Sequence, residues 1–571
     1  VANRYWVGGG GNVNDTNHWS TSSGGGGGAS VPGAADTAIF DSASGSGTCT
    51  INVAFSPQGI DQQAGNNIAI TQAASVNVGN ANWNVNGGSF DSAWWNWSVT
   101  GNLNIGAGGT FTNTGMSIGT ITGDLIVNAS ATVSWGIGTV IMGGSGAQTL
   151  TCDKDTAAFY DLDITNTLAV VSLGSDIRTT HQLDVNVNAQ LDCVSFYDIY
   201  VRGTGTPLVL SGRIWGNGRR INYEINASGT YNINGSTGWG AQGCLAGAQM
   251  YIVVIATCTA TINLTAQIQD INSFICECTT DGSGATITFN TQNNNISDGS
   301  GGRGVFSYIR IGSDTAADDC TATFSWGSSE IVPESWSFMR LQWSGAHHNL
   351  GSMTFQGNGG SGGTLSVYGP DTAGVDVAQT FTPGTSHVKV NNLGESWMGL
   401  GSNPATIEVY DLEMNNPGAI AHCYITPIVH NRLTTTDDGV TFESDVEFQA
   451  PFDIEEMYLT AVLTNITVYL YEVGLSIWRK APVRTGTNFI NIRSRVNGTQ
   501  ARVRCDESAQ VKQNFNVRDS DLTYDGNWID VRHVSNVDSG NNSPYWWFTG
   551  PEPEPPADGV QSRRLMKAGN I

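Results

Sequence analysis

Paired carboxylates are the side chains through which this chain could cleave a polysaccharide, one acting as acid and the other as base or nucleophile across a glycosidic bond. Three groupings have the composition for it: Asp314 with Asp318 and Asp319, Asp153 with Asp155, and Asp176 with Asp184. None sits in a catalytic motif, and acidic residues in turns are ordinary in a chain of 49 acidic and 25 basic side chains. The expectation is therefore that the chain is not an enzyme, with a polysaccharide depolymerase as the alternative. The segment Asp519-Ser520-Asp521-Leu522-Thr523-Tyr524-Asp525-Gly526 has a calcium-loop flavour, but its spacing is wrong and no Glu stands at the bidentate position. It reads as a turn. His347 and His348 are adjacent, so in a strand they face opposite ways and cannot share a metal. No metal and no cofactor are assigned. The glycine runs lack the Lys-Ser/Thr and the strand-to-helix setting of a phosphate loop. Ten cysteines are scattered without zinc spacing. Reduced core thiols are expected, with Cys258 and Cys278 about one repeat apart and able to stack.

Aromatic clusters are the stronger signal. Trp94-Trp95-Asn96-Trp97 and Tyr545-Trp546-Trp547-Phe548 can stack on sugar faces or fill a subunit interface. Burial inside the monomer is the competing reading for both.

The elements that must carry these residues are short strands. Leu103-Asn104-Ile105, Leu125-Ile126-Val127, Val140-Ile141-Met142, Leu162-Asp163-Ile164, Leu183-Asp184-Val185 and Ile199-Tyr200-Val201 each open a strand–turn–strand unit. Their spacing of roughly 15 to 25 residues is that of one coil of a β-solenoid. A single coil cannot bury its inward side chains; stacked coils bury a continuous core. No segment shows a sustained 3.6-residue apolar period. With 72 glycines, only 13% charged residues and 17 Trp, 16 Tyr and 19 Phe to bury, the composition is that of an ordered, turn-rich all-β protein rather than a disordered one.

Four regions are expected. Residues 1–60 form a Gly/Trp-rich module whose Trp6 and Trp19 cap the apolar end of the stack. Residues 61–420 form the β-solenoid body, right-handed β-helix-like, with Gly-rich loops at 297–304 and 357–363. Residues 421–550 carry longer, more charged strands, as in Asp445-Val446-Glu447-Phe448, and predict an antiparallel β-sandwich. Residues 551–571 are a Pro/Glu spacer and tail, either flexible or held by a partner surface. The formal net charge of −24 argues against a nucleic-acid partner. No run is long and apolar enough to span a bilayer as a helix, so membrane insertion is not expected. The opening residues show no signal-peptide pattern, which leaves two expectations: a signal already removed, or release by another route such as lysis.

The order Arg4-Tyr5-Trp6-Val7-Gly8-Gly9, Asn17-His18-Trp19-Ser20, a Gly-rich loop, Ala29-Ser30-Val31-Pro32 and Ala35-Asp36-Thr37-Ala38-Ile39-Phe40-Asp41 resembles the N-terminal module of a group of tailed-phage structural proteins. A looser version resembles the start of some bacterial surface proteins. The resemblance covers about the first 55 residues and carries over no active-site residue. It implies a virion component, assembled in the host cytoplasm and released by lysis: a tail fibre, spike or head-attached appendage used in host attachment. The partners implied are other virion proteins of tail or capsid, further copies of the chain as a homotrimer by analogy with phage spikes, and a host surface glycan. A bacterial surface adhesin of the same architecture is the other alternative.

Overall fold

The computed structural model describes residues 2–233 except 154, 156, 194–196 and 217, residues 248–266, and from 273 to 547 the strands and some of their turns. Two compact units divide at residue 273, with 301–304 grouped with the first.

In the first unit, runs of three to six residues alternate between core and solvent. Leu103–Ile105 and Trp83–Val85 are buried at both ends and half-buried at the centre. Such strands are too short to stand alone; each finds its partner one coil later, in parallel and in register. One sheet runs Ala2–Trp6, Asp36–Phe40, Gly59–Gln62, Trp83–Val85, Leu103–Ile105, Leu125–Val127, Gln148–Thr151, Val171–Leu173, Gln190–Asp192 and Arg213–Trp215. A second takes Gly11–Asn12, Ser46–Ile51, Asn67–Gln72, Ser89–Asp91, Thr110–Thr112 and Thr132–Ser134. A third begins Val76–Val78, Trp97–Val99, Ile118–Ile121, Thr139–Met142 and Phe159–Ile164. The chain visits the three in rotation, so each strand lies beside the one a full turn on. This is a β-solenoid with a three-faced coil, and cross-coil hydrogen bonds recur at a step of 22 residues.

Inward positions form continuous apolar columns. Ile60, Trp83, Leu103, Leu125, Leu150 and Leu173 stack in register on one face, and Val99, Ile121, Met142, Ile164, Val185 and Leu210 on another. All are buried, each side chain contributing about 1.5–3 kcal/mol relative to exposure. Between the faces the rings of Trp83, Phe90, Phe111, Trp135 and Phe159 pack at 4.6–5.7 Å. The reduced-thiol expectation holds for the described cysteines: Cys49, Cys152, Cys193, Cys258 and Cys276 are buried and free. Burial pushes the Cys152 thiol up to about 12. The side chain of Cys278 lies outside the described residues.

The strands of the opening residues form the first turns of this stack. Thr37–Phe40 pairs with Gly59–Gln62, and Ser46–Ile51 with Asn67–Gln72. Trp6 and Trp19 are fully buried, donating through their indole nitrogens to Gly9 O (2.6 Å) and Val13 O (2.8 Å). Trp6 also stacks on His18 at 4.7 Å.

In the second unit the antiparallel sandwich expected over 421–550 is corrected. Ile420–Cys423, Asp445–Phe448, Ile466–Leu470, Ile490–Ser494 and Phe515–Arg518 pair in parallel, aligning Ala421, Val446, Val468, Ile492 and Val517 in one column. Thr406–Asn415, Thr426–Thr435, Asp453–Ala461, Leu475–Trp478 and Ala501–Cys505 do the same. Alternation with period two is common to both pairings; a turn every ten or so residues is also what two strands per coil require. Part of the expected loop at 357–363 is likewise strand: Thr354–Gly359 pairs with His387–Asn392. The remaining loop residues of 357–363, and 298–304, lie outside the described residues.

Candidate functional site

The turn that links the second face to the third is the site. Residues 92–95 form a two-residue reversal in which Trp95 N donates to Ser92 O at 2.9 Å. Ala93 (φ 45°) and Trp94 (φ 77°) occupy its central positions. Such turns normally use Asn or Gly there, and left-handed backbone at other residues costs about 1–2 kcal/mol each. The surroundings hold the conformation. Asp91 accepts from Ala93 N at 3.0 Å and from the hydroxyl of Thr114. Trp94 N donates to Thr114 O at 3.2 Å, and Ser92 Oγ bonds Ser117 Oγ at 3.0 Å. Gly115 (φ 73°) lies against the indole of Trp94, where a Cβ would come within 2.4 Å of the ring.

The strained turn holds Trp94 at 66% and Trp95 at 46% exposure. Trp97, two residues on, turns inward: it is buried and its Nε1 donates to Asn113 Oδ1 at 2.9 Å. The tryptophan cluster therefore splits into two displayed rings and one core ring. Tyr545 and Phe548 lie outside the described residues. Trp546–Trp547 is a strand paired in parallel with Ile529–Asp530.

Four further apolar side chains stand at the same corner of other coils: Val53, Met116, Ile118 and Ile137. Six of the nine large apolar residues exposed among the described ones thus share this one edge. Each is unremarkable in the sequence; the coil repeat places them in line. Polar columns border the edge. On the second face Thr50, Thr71, Asp91, Thr112 and Ser134 lie in register. On the third face Asn77, Ser98 and Thr120 do so, with Ser98 Oγ bonded to Asn77 Oδ1 at 2.9 Å. Between Ser42 and Cys152 the only charged residues are Asp61, Asp91 and Asp124, and no Lys, Arg or His occurs.

Within the described residues the carboxylates of two of the groupings have other partners. Asp153 accepts from Asp155 N at 2.9 Å, and Asp155 is bound to Arg178 at 3.1 Å. Asp176 accepts from Asp198 N at 2.8 Å, while Asp184 stacks on Asp163, a neighbour the spacing did not single out. Burial first, then Asp184 and Asp161, raise the Asp163 carboxyl to about 6; burial also raises Asp184. Alongside, His181 Nδ1 meets Asp161 Oδ1 at 2.6 Å and its ring stacks on Tyr160 at 4.5 Å. Asp314, Asp318, Asp319, Asp519 and Asp525 lie outside the described residues, and Ser520–Leu522 is strand. His347 Nε2 contacts Thr382 Oγ1 at 3.2 Å.

Compared with protein-family models, curated proteins and solved structures, the chain matches none.

Proposed function

We propose that this chain is a structural and adhesive appendage protein of the tailed-phage kind that its opening residues resemble, working as a fibre, spike or head-attached element in host attachment. The observation that carries this reading is the displayed Trp94–Trp95 turn. A β-solenoid that holds two indoles in solvent on left-handed, non-glycine backbone spends stability on a feature the fold does not need. Its work is contact. Parallel ladders and stacked columns supply a stiff support for that contact.

Mass spectrometry of purified virions, with sequencing of the native N-terminus, tests the assignment. Peptides of this chain in the particle are expected. Their recovery only from a bacterial envelope fraction, behind a cleaved signal peptide, would replace the appendage with a surface adhesin.

A further inference from the structure

The apolar edge has a shape that restricts what it can hold. Coils stack about 4.8 Å apart, so the edge from Val53 to Ile137, five coils with four steps, is about 19 Å long. It is one corner wide. A stable contact between two protein copies buries about 1,600 Å² in all, more than six side chains on a convex ridge provide. A narrow ridge suits a linear polymer. The borders then specify the chemistry: hydroxyls and amides flank the apolar line on both sides, which matches a ligand with C–H faces and hydroxyl edges. Trp94 rests on Gly115, and the ring's exposure lies on the side away from that glycine. The negative face of the π-system attracts polarised C–H groups. No Lys, Arg or His lies between Ser42 and Cys152 to neutralise a uronate or phosphate, and Asp91 would repel it.

We propose that this corner binds an uncharged polysaccharide, lying along the stacking direction with pyranose faces on Trp94 and Trp95 and hydroxyls bonded by the flanking Thr, Ser and Asn side chains. The proposal deepens the attachment reading and rests on it for the biological setting.

Affinity electrophoresis of the full chain tests it, in native gels holding dextran, galactomannan or, as the anionic arm, polygalacturonate. Retardation by a neutral polymer is expected, weakened at least tenfold in Trp94→Ala and in Trp95→Ala, with none by polygalacturonate. Both rings are exposed, so unchanged circular dichroism and Tm are expected in the variants. Trp97→Phe, which alters a buried ring, should leave retardation intact. No retardation by either neutral polymer, retardation indifferent to Trp94 and Trp95, or equal retardation by polygalacturonate would each overturn the proposal. So would sedimentation showing an oligomer that Trp94→Ala dissociates, since the edge would then be covered by a second copy. Virion peptides without glycan retardation would sink this inference alone; glycan retardation without virion peptides would sink only the phage assignment.

Discussion

At the scale of single residues, a coil stack turns sequence neighbours of no consequence into direct contacts. Asp163 and Asp184 meet because their strands pair in register, and parallel stacking sets like charges one strand apart. Burial and its neighbours Asp184 and Asp161 lift the Asp163 carboxyl from its ordinary 3.8 to about 6; beside them His181 Nδ1 meets Asp161 Oδ1 at 2.6 Å. A carboxyl raised on folding favours the folded state below its unfolded value and loses that contribution as pH rises through the folded one. Stability from this site is therefore complete below about pH 4 and gone above about pH 7. Thermal unfolding should show Tm rising as the pH falls from 7.5 to 5. Asp163→Asn should raise Tm at pH 7.5 by about 1–2 °C, modestly because water screens the half-open site, and should flatten the profile. An unchanged pH profile in Asp163→Asn would assign the effect elsewhere.

At the scale of elements, the corners decide stability, because there the backbone leaves one ladder before entering the next and its polar groups need other partners. Buried amides supply them. Gln148 donates to Ile121 O and Gly123 O and accepts from Gly144 N and Asn166 Nδ2. Asn113 accepts from Trp97 Nε1 and from the Ser117 hydroxyl, and donates to Trp135 O at 3.4 Å. Replacing either by Ala strands buried polar groups at about 1–3 kcal/mol each. Gln148→Ala and Asn113→Ala should lower Tm, and Asn113→Ala should also change the near-ultraviolet dichroism of Trp97. Substituting an exposed amide such as Asn77 should cost within about 0.5 kcal/mol. These same corners mark what could be read beforehand. The alternating runs from Leu103 to Val201 revealed strands and a coil-sized spacing, since inward periodicity survives in linear order. Partner choice does not. Asp445–Phe448 reads alike beside an antiparallel neighbour or beneath a parallel one, so the sandwich and the parallel stack could not be told apart there. The displayed pair Trp94 and Trp95 was visible as a cluster. Met116, Ile118 and Ile137 were not, because an edge line appears only once the coil length at each turn is known.

At the scale of the first unit, a stack of coils has an interior that resembles itself at every level and an end that does not. A coil in the middle is roofed on both sides; the outermost one must be covered by other means or its apolar interior and unpaired strand become adhesive. Here Trp19–Ser20, only two residues long, is the outermost strand of its sheet, antiparallel to Ala2–Trp6. The indole of Trp19 packs across Phe40 and Phe55 at 5.8 and 6.3 Å. Trp97 buries as large a ring in the middle of the stack, against Trp83 at 5.9 Å and Phe111 at 5.3 Å. Truncating either to Ala removes a comparable apolar volume and should cost about 3–5 kcal/mol. The consequences should differ in kind. Trp97→Ala leaves a cavity closed by the coils on either side, so the protein should melt earlier yet stay monodisperse. Trp19→Ala opens the top of the stack, so besides melting earlier it should self-associate below its melting temperature. Light scattering recorded during thermal unfolding separates the two: scattering that precedes the loss of β-structure is expected in Trp19→Ala alone. Equal early scattering in both variants would mean that the first coil is protected no differently from the rest.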